Sequence, residues 1–201
     1  MGRIVVMNHV TLDGVMQGPG RLEEDTRGGF TQGGWGQRSA SPDDACSKAM
    51  GERMAAGGGL AGWLFGRWTY EELLRHWNQQ PESPFTPALN NTPKYVVSAT
   101  LTEPLRWPSS TLLRGDVATA VRDLKAHTRG VLAIMGSGVL IGALMAADLI
   151  DEYLLMIHPQ VLGAGRRLFR DKLDATLTLR GCATSDTGVV IARYEPARSA
   201  T

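Results

Sequence analysis

Cysteine is almost missing from this sequence. Cys46 and Cys182 stand far apart and outside any CxxC spacing, which rules out a disulfide framework or a structural zinc site as the organising device. Excess charge of one sign is missing too. With 21 Lys and Arg against 20 Asp and Glu, the formal charge is +1, so no basic surface is available for nucleic acid or an anionic membrane. No apolar run approaches the roughly 20 residues that span a bilayer. The opening MGRIVVMNHV has one basic residue and then a short β-like run, without the apolar stretch and cleavage site of a secretory signal. A cytoplasmic location is therefore expected. Repeats and low-complexity linkers are absent, so residues 1–201 are read as one domain. What is present is globular material: 43% hydrophobic residues, enough to bury a core.

Short β-branched runs alternate with helical patterns along the middle of the chain. Residues 4–8 read as a first strand, ending at the Asp13-Gly14 turn. Residues 18–41 are glycine-rich and polar without a hydrophobic period, so they read as a long functional loop, although Phe30 and Trp35 lie in it. Ser41 offers an N-cap with Pro42 at the first helical position, opening a helix to about Ala56. Strands are then expected at 59–66, 94–101, 111–114, 131–135 and 151–159. Helices are expected from Arg67, from Val117 to His127, and from Gly138 to about Ala147. Residues 176–182 and 189–194 alternate around a Ser-Asp-Thr-Gly turn and read as an antiparallel pair. Strand–helix alternation implies βαβ crossovers and a largely parallel sheet, whose ligands bind beyond the carboxyl ends of the strands.

Three strand ends carry groups suited to phosphate. VLAIMGSGVLIGALM (131–145) is apolar except for Gly136-Ser137-Gly138, and each glycine inside a helix costs about 1 kcal/mol. A strand that stops there and a helix that starts there would place free N–H groups at a positive helix end. A tight turn that lets helix and strand pack closely explains the glycines equally well. At Gly66-Arg67-Trp68-Thr69, arginine supplies a cation and threonine a cap or a hydroxyl donor. Ser98 and Thr100 follow a third strand.

Together with VTLDGVMQGP, LFGRWTYEEL, PKYVVSATL and DLIDEYLLMIHPQVLGAGRRLF, these stretches resemble the dihydrofolate reductase superfamily. The likeness is to the branch containing the reductase domain of bifunctional riboflavin-pathway deaminase-reductases, and it spans residues 4–169 in order. The resemblance implies an α/β, dihydrofolate-reductase-like three-layer fold, with a mostly parallel central sheet, helices on both faces and a C-terminal antiparallel hairpin. It also implies NADPH bound along the strand ends, with Gly66, Arg67 and Thr69 on the phosphates and Ser98 near the 2′-phosphate. Gly136, Ser137, Gly138, Val139 and Leu140 would cradle the pyrophosphate and nicotinamide. Leu12, Asp13 and Gly14 would flank nicotinamide and substrate.

One departure is Ala99, where many relatives carry arginine; without that cation NADH stays possible beside NADPH. A pterin-binding carboxylate of the folate reductases has candidates in Glu23, Glu24, Asp25, Asp43 and Asp44, none of which aligns clearly. Asp13 reads either as a carboxylate that orients substrate or relays a proton, or as one half of a turn. Trp35 and Arg166 are the candidates for substrate contact. His9 and His158 each end a strand and either could face the cleft, but a lone histidine supplies no metal site. The expectation is hydride transfer from a nicotinamide dinucleotide to a small polar heterocycle, with residues 12–40 as a mobile lid and a homodimer joined through the late strands. Folate reduction proper, and a dinucleotide-binding module without turnover, are the alternatives.

Overall fold

The computed structural model describes residues 1–83, 85–169 and 174–197. The chain divides into two compact units, each made from two pieces of sequence: Met1–Ile4 with Met54–Leu149, and Val5–Arg53 with Ile150 onward. Strand β1 (Arg3–Thr11) and helix α1 (Ala45–Ala55) belong mostly to the second.

In the first unit β2 (Leu60–Gly66) enters α2 (Arg67–Trp77), followed by α3 (Phe85–Asn91), β3 (Lys94–Val97) and β4 (Ser110–Leu113). Then come α4 (Val117–His127), β5 (Val131–Ile134) and α5 (Gly138–Ala146). The four strands run parallel in the order β4-β3-β2-β5. All of β5 and the Gly62–Phe65 stretch of β2 are buried. That fits their unbroken apolar sequence, because a parallel strand covered on both faces needs no polar alternation. Asp116 caps α4, its carboxylate accepting from Thr119 N at 2.9 Å.

Helix α3 has no counterpart in the expected elements. It is short, and Pro87 interrupts any period, so its stability comes from outside. Lys94, fully buried on β3, donates from Nζ to the carbonyls of Leu89, Asn90 and Thr92, closing the helix end. Burial lowers the Lys94 pKa to about 8.

In the second unit β1 pairs in parallel with β6 (Glu152–His158). The hairpin of β7 (Leu177–Thr184) and β8 (Val190–Pro196) is antiparallel, as expected, and β8 runs antiparallel to β6. Boundaries shift in both units, and β3 stops at Val97, short of the expected 101. β1 extends to Thr11, and α1 begins only at Ala45 because Asp44 takes a left-handed φ of 46° and breaks the start offered by Ser41-Pro42.

The lid expected over residues 12–40 is instead a packed segment. Val15, Phe30 and Trp35 form a small core with Leu162 against it, and Trp35 is 0% exposed. A side chain at Gly33 would place its Cβ 2.2 Å from the Leu22 carbonyl, so glycine there permits the chain to fold back on itself. No helix of the described residues is long and apolar enough to cross a membrane.

Candidate functional site

In the first unit two strand-to-helix junctions are fastened together. β2 and β5 are neighbours, and Ser137, at the start of α5, bridges their ends. Its Oγ accepts from Gly66 N at 2.9 Å, and its own N–H donates to Thr69 Oγ1 at 3.0 Å. Gly136 and Ser137 both sit in the left-handed region, at φ 65° and 59°. A Cβ at Gly136 would stand 3.0 Å from Thr69 Oγ1. The glycine in the apolar run therefore makes a close approach between two turns possible.

This fastening leaves donors uncommitted. Each hydroxyl receives an N–H on a lone pair and retains its own O–H. Neither α2 nor α5 carries a side-chain cap at its N-terminus, where the helix dipole favours negative charge. Arg67 is exposed and makes no ion pair among the described residues. Val139, on the first turn of α5, is 63% exposed, whereas Leu140 is buried.

Ser98 is buried and shapes the turn after β3. Its Oγ accepts from the N–H groups of Thr100 and Leu101 at 3.1 and 3.0 Å. Arg114, just past the neighbouring β4, donates to Leu101 O at 3.2 Å, which keeps a cation at the same turn. A cleft of about 380 Å³ opens between α2 and the segment after β3, lined by Trp68, Tyr70, Glu71, Thr100, Arg106 and Trp107 among others.

The second unit treats its polar groups differently. The Asp13 carboxylate accepts from Thr11 Oγ1 at 2.6 Å, Leu162 N at 3.2 Å and Gly163 N at 2.8 Å. Arg167 donates to the Asp13 carbonyl at 2.8 Å. The Thr11 hydroxyl, with the two amides, holds the carboxyl below its usual range. Through these bonds Asp13 clamps the 160–163 loop to β1. Gly14 takes φ 80° at this turn, and Leu12 beside it is 65% exposed. Arg166 is exposed; its backbone N–H donates to Gln17 Oε1 at 2.9 Å, leaving the guanidinium to solvent.

Trp35 does not offer a face to a ligand. Its Nε1 donates to the Gln17 carbonyl at 2.7 Å, and its ring meets His158 edge-on at 5.2 Å. The group it supports is one that single residues did not reveal. His9 Nδ1 lies 2.8 Å from His158 Nε2, and His158 Nδ1 lies 2.6 Å from Ser39 Oγ. Burial lowers both histidines to about 4, with His158 also lowering His9 and Asp44 pulling His9 upward. Residues 9, 39 and 158 share no linear spacing. The β1–β6 register, which sets Thr11 opposite His158, brings the two histidines together, and the 35–39 turn adds Ser39.

The acidic candidates for a pterin are engaged locally or exposed. Glu24 Oε2 accepts from the Gly20 and Arg21 amides, Asp25 is bonded by Arg27 Nε at 2.7 Å, and Asp43 accepts from Ala45 N. Glu23 and Asp44 are exposed.

Residues 3–191 match the RibD C-terminal domain family. The chain belongs to that family. Among solved structures, this RibD C-terminal domain chain is similar to a protein from Shewanella sp. PV-4 described as a riboflavin biosynthesis protein. The two share 24% identity at a TM-score of 0.71, over 98% of this chain and 100% of that one. It is also similar to dihydrofolate reductase from Enterococcus faecalis, solved with NADP(H), at 13% identity and TM-score 0.60, over 98% of both chains. A third likeness is to a diaminohydroxyphosphoribosylaminopyrimidine deaminase/5-amino-6-(5-phosphoribosylamino)uracil reductase from Thermotoga maritima. There the identity is 13% and the TM-score 0.62, over 98% of this chain and 57% of that one. These likenesses establish a dihydrofolate-reductase-like fold. No curated protein sequence matches this chain.

Proposed function

We propose that this chain is an NADPH-dependent reductase delivering hydride to a small polar heterocycle of the ribosylaminopyrimidine type. The observation that carries the reading is the pair of fastened junctions in the first unit, within a chain of the RibD C-terminal domain family. Two helix N-termini without side-chain caps, two hydroxyl hydrogens and the exposed Arg67 converge on one stretch of backbone, which is the donor set a pyrophosphate requires. Gly136 keeps that backbone approachable.

A bound nicotinamide supplies the hydride. The protein's part is to bind and orient. Arg67, Thr69 and Ser137 hold phosphate, while Val139 presents an apolar edge to a flat ring and the buried Leu140 anchors the turn behind it. Ser98 O–H, with Arg67 and Arg114 as cations, serves a 2′-phosphate; Ala99 adds nothing there, so NADH is the weaker alternative. In the second unit Leu12 offers exposed apolar surface, and Arg166 a cation for an anionic group on the substrate.

The local engagement of Glu24, Asp25 and Asp43 argues against folate as substrate. The proposal includes a cytoplasmic location and a homodimer joined through the late strands, where β7 is largely exposed. Titration of the protein with NADPH and NADH, followed by oxidation of the preferred cofactor with 5-amino-6-(5-phosphoribosylamino)uracil, tests the reading. Tight NADPH binding without turnover would instead favour a binding module.

A further inference from the structure

The histidine pair of the second unit belongs to a hydrogen-bond chain whose direction one backbone carbonyl fixes. Gln160 Nε2 lies 3.0 Å from the Trp35 carbonyl and 3.2 Å from Ser39 Oγ. A carbonyl only accepts, so the amide must turn its NH₂ toward both. Ser39 Oγ then receives one N–H, and among the described residues its own hydrogen has one acceptor, His158 Nδ1 at 2.6 Å. A neutral imidazole carries one hydrogen, so His158 carries it on Nε2 and donates to His9 Nδ1 at 2.8 Å. His9 is left with its hydrogen on Nε2.

The position of that last donor points to a use. In β1, every residue after Arg3 is buried except His9, which is half-buried. Its Nε2 has no partner among the described residues. His9 and His158 stand near the carboxyl ends of two adjacent parallel strands, at the end of the unit that also carries the Leu12–Gly14 turn. Ligands of parallel sheets bind at this end. The groups acting on His9 are His158, through the ring contact, and Asp44 from the segment before α1; neither takes its outer nitrogen.

We infer that His9 Nε2–H is a fixed hydrogen-bond donor for the substrate, reading an acceptor such as a ring carbonyl or ring nitrogen of the heterocycle. Ser39, His158 and Gln160 are positioning residues that hold its tautomer. The group donates without releasing its proton, because the chain behind it ends at a serine hydroxyl with nothing to resupply it. The inference rests on the reductase reading for the identity of the substrate, but not for the tautomer.

The test uses ¹⁵N-labelled full chain and long-range ¹H–¹⁵N spectra at pH 7. The expected result is both rings neutral with hydrogen on Nε2, and His9 Nε2 shifting when 5-amino-6-(5-phosphoribosylamino)uracil is added to the NADPH-saturated protein. His9→Phe, which keeps the ring and loses the donor, should raise KM for the pyrimidine roughly tenfold with NADPH affinity unchanged. His9→Gln, which can place an N–H at the Nε2 position, should recover most of that loss. A hydrogen on His9 Nδ1, a resonance unmoved by millimolar pyrimidine, or equal KM in His9→Phe and wild type would each overturn the inference. Failure of NADPH to bind would instead defeat the reductase reading, and the tautomer would still decide the hydrogen-bond chain.

Discussion

The turn at Ser137 in the first unit and the turn at Asp13 in the second use similar residues to opposite ends. Both are short, glycine-assisted connections beyond a parallel strand. At Ser137 the internal bonds occupy hydroxyl lone pairs and leave two O–H groups beside two helix N-termini without side-chain caps and the exposed Arg67. At Asp13 the carboxylate is held by a hydroxyl and two amides with the Arg167 guanidinium 3.9 Å away, so its bonding is directed inward to the fold. A turn becomes a ligand site when its internal bonding leaves a surplus of one polarity. Here the surplus is of donors, so the expected ligand is an anion.

Breaking the first turn should have the largest effect. Gly136→Val puts a β-branched residue at φ 65° against Thr69, a strain of roughly 1–3 kcal/mol. NADPH binding should vanish from a calorimetric titration while the melting temperature falls. Arg67→Ala, which removes a cation that makes no ion pair among the described residues, should weaken NADPH by about ten- to a hundredfold, as for charge-assisted bonds. Its melting temperature should match wild type.

The second unit should answer to acid more than to cofactor. His9 and His158 have folded values near 4 against an ordinary 6.5. Between those values the unfolded chain binds more protons, so stability is complete above pH 6.5 and is lost as pH falls toward 4. Denaturant unfolding across that window should show the loss, and His9→Phe should make the profile flatter. The smallest effect on binding belongs to Asp13→Asn. Because the Asp13 carboxyl titrates below its ordinary value, it stabilises the fold above that value and ceases to as pH falls further. The variant should melt lower at pH 7 and lose this part of the acid sensitivity, with NADPH affinity within about twofold of wild type.

How much of this was legible beforehand follows the range of the interactions. Helices α2 and α4 start where Gly66 and Asp116 announce them, because caps and strand-to-helix switches are local. Helix α3 was not legible, since a lysine on the next strand stabilises it from outside. Asp44 delays α1 through a left-handed φ that nothing in Ser-Pro-Asp-Asp demands. Arg67, Thr69 and the glycine turn were visible as candidates, but the bond from Gly66 to Ser137 crosses from one βα unit to another. Trp35 misled for the same reason. An aromatic in a polar loop looks available until the glycines that let the loop close around it are placed in three dimensions.

The most direct measurement is a side-by-side NADPH titration of wild type, Arg67→Ala and Asp13→Asn by calorimetry at one pH and ionic strength. The account predicts saturable binding to wild type and Asp13→Asn with nearly equal affinity, and binding at least tenfold weaker to Arg67→Ala. Equal affinity in wild type and Arg67→Ala, or no heat from millimolar NADPH with wild type, would contradict it.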